Sequence, residues 1–165
     1  MRKILSATLV AGVMTAGVAQ AVNTTTTTFA VTATVNSTCS TTATALAFPA
    51  YTPGGGAVIQ SSTVSVKCTK NSPYTVALNG GVGGTVAQRL MSSGANTLQY
   101  QLYTTAGLAT VWGDGTGSSV MQPGTGSGVA TANTLTVYGQ VPDNAFNQAV
   151  VPAGYTDTIT VTVSY

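Results

Sequence analysis

The sequence predicts an all-β protein built as a β-sandwich, and three observations carry that reading. The chain is rich in Thr, Val, Ala, Gly and Ser. Thr and Val favour strands, and Gly-rich stretches favour turns. Several segments alternate apolar and polar residues with period two, and no helical 3.6-residue period persists beyond residue 21.

The elements follow in chain order. Met1-Arg2-Lys3 is a short basic head, Ile4 to Val18 is an uncharged apolar stretch, and Ala19-Gln20-Ala21 has the small-x-small pattern of a signal peptidase site. Residues 1–21 therefore read as a signal peptide, too short and wrongly flanked for a retained membrane helix. Thr24 to Thr28 is a threonine run. Phe29, Val31, Ala33 and Val35 then share one face of an alternating strand that precedes Cys39.

Val64, Val66 and Cys68 alternate with Ser65 and Lys67 in the next clear strand. Tyr74, Val76 and Leu78 repeat the pattern and stop at Asn79-Gly80-Gly81, a strong turn signal. Leu98, Tyr100 and Leu102 mark another strand, and Leu135 and Val137 one more, which is expected to stop at Gly139. Ile159, Val161, Val163 and Tyr165 form the last alternating run, uncharged and apolar on one face. Pro53 to Gly56 and Gly113 to Gly128 read as Gly-rich loops.

Charge narrows the function. Beyond residue 21 the chain carries Lys67, Lys70 and Arg89 against Asp114, Asp143 and Asp157, a net charge of zero. Such a chain has no electrostatic footprint for nucleic acid or acidic lipid. Low net charge favours self-association. Two cysteines in an exported chain, Cys39 and Cys68, predict a disulfide. It closes a loop of about 30 residues and contributes roughly 3–4 kcal/mol in the chain-entropy model.

Little chemistry is on offer. Histidine is absent, and so is glutamate. This removes Ser-His-Asp and Cys-His catalysis and the usual His-based zinc sites. A pair of aspartates can hydrolyse glycosides, but nothing in the sequence places two of the three together. Trp112-Gly113-Asp114-Gly115 reads as a turn, with Trp112 as a packing anchor. Gly124-Thr125-Gly126-Ser127-Gly128 lacks the lysine and the helix of a phosphate loop. The expectation is a protein that works by its surfaces: not an enzyme, with no cofactor, no metal and no nucleic acid.

Four ordered pieces then carry a resemblance. They are Leu98-Gln99-Tyr100-Gln101-Leu102-Tyr103, Trp112 to Gly115, Tyr138-Gly139-Gln140-Val141-Pro142, and Gly154 to Tyr165. With the two cysteines and the leader, they resemble the spore coat protein U domain over roughly Cys39 to Tyr165. That family includes subunits of archaic, Csu-type chaperone–usher pili.

The resemblance implies an immunoglobulin-like sandwich that lacks its last strand and is completed by a donated one. It divides the chain into a signal peptide (1–21), a donor-strand segment (22–38) and a pilin domain (39–165). Phe29, Val31, Ala33 and Val35 become the donor strand, and Ile159, Val161, Val163 and Tyr165 border the acceptor groove. Implied partners are a periplasmic chaperone, an outer-membrane usher and identical or related subunits. The expected location is an extracellular fimbria reached through the periplasm, supporting adhesion and biofilm formation. A single domain of this length fits a shaft or adaptor subunit better than a two-domain tip adhesin. The alternative is a self-complete secreted sandwich that uses Trp112, Tyr103 and the loops to bind sugar or a surface, or that serves in a spore or outer coat.

Overall fold

The computed structural model describes residue 17 and residues 20–165. The expected leader therefore lies almost wholly outside the described residues. The chain divides into two units, residues 1–34 and residues 35–165. In the first, the described residues form no strand or helix. Phe29 and Val31 are 85% and 83% exposed, and Val35, which opens the second unit, is 83% exposed. The alternation expected over Phe29 to Val35 is present in the sequence without a ladder, because a strand exists only against a partner.

The second unit is a sandwich of two antiparallel sheets. Its strands are β1 (Cys39–Ala43), β2 (Val58–Cys68), β3 (Pro73–Leu78), β4 (Arg89–Ser93), β5 (Asn96–Tyr103), β6 (Gln122–Thr125), β7 (Asn133–Val141) and β8 (Val161–Ser164). One short helix, α1 (Ala145–Gln148), follows β7. The larger sheet runs β1-β2-β7-β5-β4 and the smaller β6-β3-β8. This is an immunoglobulin-like arrangement, with strands of one sheet packed over those of the other.

The period-two pattern explains the core. Val64, Val66 and Cys68 of β2 face Tyr74, Val76 and Leu78 of β3, with Leu98, Tyr100 and Leu102 of β5 and Val137 and Val141 of β7 beside them, all buried. Trp112 is fully buried, and its indole N–H donates to the Val76 carbonyl at 2.9 Å. It is therefore unavailable as a binding platform, which corrects that part of the alternative reading.

β7 does not stop at Gly139 but runs through it to Val141. A Cβ at Gly139 would meet Leu46 Cδ1 and Phe48 Cζ at 2.8 Å each. The glycine is there to let the β1–β2 connection pack onto the strand, not to end it.

Cys39 and Cys68 form the disulfide, with Cα atoms 4.1 Å apart. They face each other across β1 and β2. Thr44 N–H bonds to Thr63 C=O and Thr69 N–H to Thr38 C=O. This makes Cys39–Cys68 a non-hydrogen-bonded pair, where Cα atoms approach most closely.

Arg89, on β4, is fully buried. Its Nε donates to Asn79 C=O at 3.0 Å, and Nη2 to Asn79 C=O and Trp112 C=O at 2.8 and 2.9 Å. Nη1 donates to the Gln101 side chain. Burial lowers its pKa, yet the guanidinium has acceptors on every side. It ties the end of β3, the Trp112 segment and β4 together.

Two predictions follow from this scaffold. Arg89→Met leaves the Asn79 and Trp112 carbonyls without a donor and should destabilise by about 3 kcal/mol, read as a lower urea midpoint. Cys39→Ser should lower stability by roughly 3 kcal/mol. Equal melting temperatures of mutant and wild type would contradict the disulfide's role.

Candidate functional site

β8 lies at the edge of the small sheet, and its far side is open. The direction of its main-chain groups follows from its bonds to β3. Asn79 N–H donates to Thr160 C=O at 3.2 Å, whereas Leu78 N–H turns away to Gly113 C=O. Leu78 opposes Val161 and Val76 opposes Val163. Both pairs are therefore non-hydrogen-bonded, and the peptide groups of Val161 and Val163 point outward. No partner for them occurs among the described residues. By the same alternation, Cys39, Thr41 and Ala43 present the outer edge of β1.

An apolar groove of about 1040 Å³ opens beside this edge. Its floor is the sandwich core: Val64, Leu78, Leu98, Tyr100, Leu102, Val137 and Val141. Ile159 and Val161 line it directly. Val163 is half-buried against the core, and Tyr165 is 60% exposed and outside the groove lining. The volume exceeds what a single small ligand needs, since drug-sized pockets span roughly 300–1,000 Å³. Its shape, with a row of unpaired peptide groups along one side, suits an extended peptide.

Two connecting segments make the walls, and each is fastened by an aspartate. The β1–β2 connection contributes Thr44 to Pro53. Tyr51 OH donates to Asp143 Oδ1 at 2.6 Å, and Gly54 and Gly56 N–H donate to its two oxygens at 3.0 and 2.9 Å. The Tyr51 hydroxyl, with the glycine amides and Gln148, holds the Asp143 carboxyl down to about 2. Partial desolvation and the same carboxylate push Tyr51 up to about 12.

The other wall is the stretch from Val150 to Ile159. Asn147 of α1 roots it, accepting from Gln99 N–H at 2.9 Å and donating to Gln99 and Pro142 carbonyls. Thr156 exchanges two main-chain bonds with Ser92, of 2.8 and 3.0 Å. Asp157 accepts Tyr100 OH at 2.6 Å and the amides of Val82 and Thr158 at 2.8 and 2.7 Å. Burial first, and Asp157 second, raise the pKa of Tyr100. Gly81, at φ +81°, has no room for a Cβ, which would sit 1.9 Å from Asp157 Oδ2.

The expected last run, Ile159 to Tyr165, pairs only over Val161–Ser164, with β3 of the small sheet, while Thr156, just before the run, bonds to β4 of the large one. Only the latter form a ladder, because β3 ends at Leu78. Between them the chain stays extended, with Tyr155, Asp157, Ile159, Val161 and Val163 turned inward.

The three aspartates are each engaged by different donors. Asp114 accepts Thr116 N–H and Oγ1–H at 3.0 and 2.6 Å within its turn, bonds that lower its pKa. The groove edge residues Ile159 and Val161 were legible from alternation. The Asp143 and Asp157 fastenings were not, since each spans more than fifty residues.

The second unit is thus an immunoglobulin-like sandwich with an open edge strand beside an apolar groove. The profile of the Spore Coat Protein U domain matches residues 25–162, and the chain belongs to that family. The match begins before Phe29 and so takes in the alternating N-terminal run as well as the sandwich. A solved structure with a similar fold is the CsuC–CsuE chaperone–tip adhesion subunit pre-assembly complex from archaic chaperone–usher Csu pili of Acinetobacter baumannii. The TM-score is 0.54 at 23% identity, over 80% of this chain and 41% of that chain. No curated protein matches the sequence significantly.

The Asp143 fastening generates a pH prediction. Its folded pKa lies below the ordinary aspartate value, so its contribution is fully present above about pH 4. It is lost as pH falls toward about 2. Asp143→Asn should lower the urea midpoint at pH 7, and the gap to wild type should close at pH near 2. A gap that persists unchanged into acid would contradict the fastening.

Proposed function

We propose that the protein is a structural subunit of an extracellular fibre of the chaperone–usher type. One subunit's N-terminal strand fills the groove of the next by donor-strand exchange. The observation that carries this reading is the pairing, in one chain, of an unfilled acceptor edge at β8 with an exposed alternating run at Phe29, Val31, Ala33 and Val35. Donated main-chain bonds pair with the outward peptide groups of Val161 and Val163, and alternate side chains enter the groove. Each of the larger ones contributes roughly 1.5–3 kcal/mol when buried. Ala33 suits the shallowest position. Thr24 to Thr28 serve as the tether between subunits.

Before assembly the same groove needs a temporary strand. An exposed, uncharged edge over an apolar surface is an aggregation hazard. A periplasmic chaperone meets that need, an outer-membrane usher replaces it with a neighbour, and copies of this chain form a homopolymer. The similar fold of a subunit solved with its chaperone supports this order of events. The route begins with a cleaved leader at residues 1–21 and ends outside the cell, where such a fibre supports adhesion and biofilm formation. The work is mechanical and adhesive, with no catalytic step and no cofactor.

The test is a charge in the buried face of the donor. Val31→Asp should cost about 3 kcal/mol, roughly a hundredfold in strand binding. It should abolish detergent-resistant ladders while leaving the monomer folded. Normal fibres from this variant would remove Val31 from the donor strand.

A further inference from the structure

The large sheet is incomplete at a second place, away from the groove. β5 pairs with β7 only over Gln101–Tyr103 against Tyr138–Gln140. Beyond that, Thr104 N–H turns to Thr110 C=O, so β5 leaves the sheet while β7 continues toward Asn133.

Thr63 bonds to Thr44 on the β1 side, so Val64 and Val66 are the β2 residues that bond β7, opposite Leu135 and Asn133. The main-chain groups of Thr134 and Thr136 therefore face the side that β5 has left. No partner for them occurs among the described residues. They border a cleft of about 240 Å³, completed by Thr104, Gln122 and Tyr138 over Leu135, with the fully buried Trp112 behind it.

We propose that this cleft binds a single neutral sugar ring, the terminal pyranose of a glycan. Thr134 and Thr136 offer two N–H donors and two C=O acceptors, spaced about 7 Å apart by the strand repeat. Sugar hydroxyls both donate and accept, so they answer such a mixed row. The hydroxyls of Thr104 and Thr136 and the amide of Gln122 add further polar groups. Tyr138 supplies an aromatic surface for the apolar face of the ring.

The alternatives fit less well. No charged side chain lines the cleft, so an ionic ligand has no counter-charge there. A peptide strand finds little edge to pair with: the Tyr103–Tyr138 pair closes the ladder at one end and β7 begins at Asn133 at the other, leaving the outward groups of Thr134 and Thr136 alone. The volume falls below the roughly 300 Å³ at which pockets for larger ligands begin. The site stands independently of strand exchange, since none of its residues borders the groove.

The experiment is an amide-resolved NMR titration of the full chain with glucose, galactose, mannose and N-acetylglucosamine, each taken into the tens of millimolar. A ring of this size reaches only millimolar affinity. With at least one sugar, the Thr134 and Thr136 amides should move together and saturate, and glycerol at the same concentration should not reproduce the change. Gln122→Leu, and separately Thr104→Val on the adjoining segment, should each weaken that binding severalfold while leaving the remaining amides in place. The proposal is overturned by unsaturating shifts spread over many surface amides, by no response at Thr134 and Thr136 with any of the four sugars, or by undiminished binding in both variants.

Discussion

The rest of the structure depends on one unsatisfied constraint: the outward peptide groups of β8 stand over an apolar groove with no partner among the described residues. An unpaired strand edge is a liability, and apolar floor left to water is a cost. Neither cost can be relieved by repacking within the sandwich, because the groove floor is already core. Val64, Leu78 and Val141 belong to the buried cluster and to the groove lining at once. The domain's own stability and the shape of the groove are therefore properties of the same side chains.

Keeping such a groove open requires rigid walls, and two of the chain's aspartates fasten them. Asp143 holds the β1–β2 connection through Tyr51, Gly54 and Gly56. Asp157 holds the last segment through Tyr100 and Val82. Asn147 and the Ser92–Thr156 bonds fix the rest of that wall to the large sheet. Arg89 and the Cys39–Cys68 bridge secure the scaffold behind the groove. Two of the three aspartates, Asp143 and Asp157, thus hold the walls of the groove.

What was legible in the sequence was local. Period-two alternation located the inward faces of β2, β3, β5 and β8, since it records directly which side of a strand meets the core. The expected export and the cysteine count pointed to the disulfide. What was not legible depended on distant partners. Gly139 reads as a stop until Leu46 and Phe48, some ninety residues earlier, are seen to occupy the space of its missing side chain. Arg89 gives no signal of burial, because its acceptors are backbone carbonyls of Asn79 and Trp112 that any residue types would supply. The last strand was expected from Ile159, and nothing in the sequence before it marks that Thr156 bonds to the large sheet while Val161–Ser164 pair in the small one.

The central claim is that the groove is a vacancy shaped for the chain's own opening segment. The most direct measurement is the melting temperature of protein lacking residues 22–35, with and without a synthetic peptide of that sequence. The account predicts a marked, saturable rise on adding the peptide, and none with a peptide in which Val31 is replaced by Asp. A truncated protein that melts at the same temperature with or without the native peptide would show a sandwich already complete, and would contradict the account.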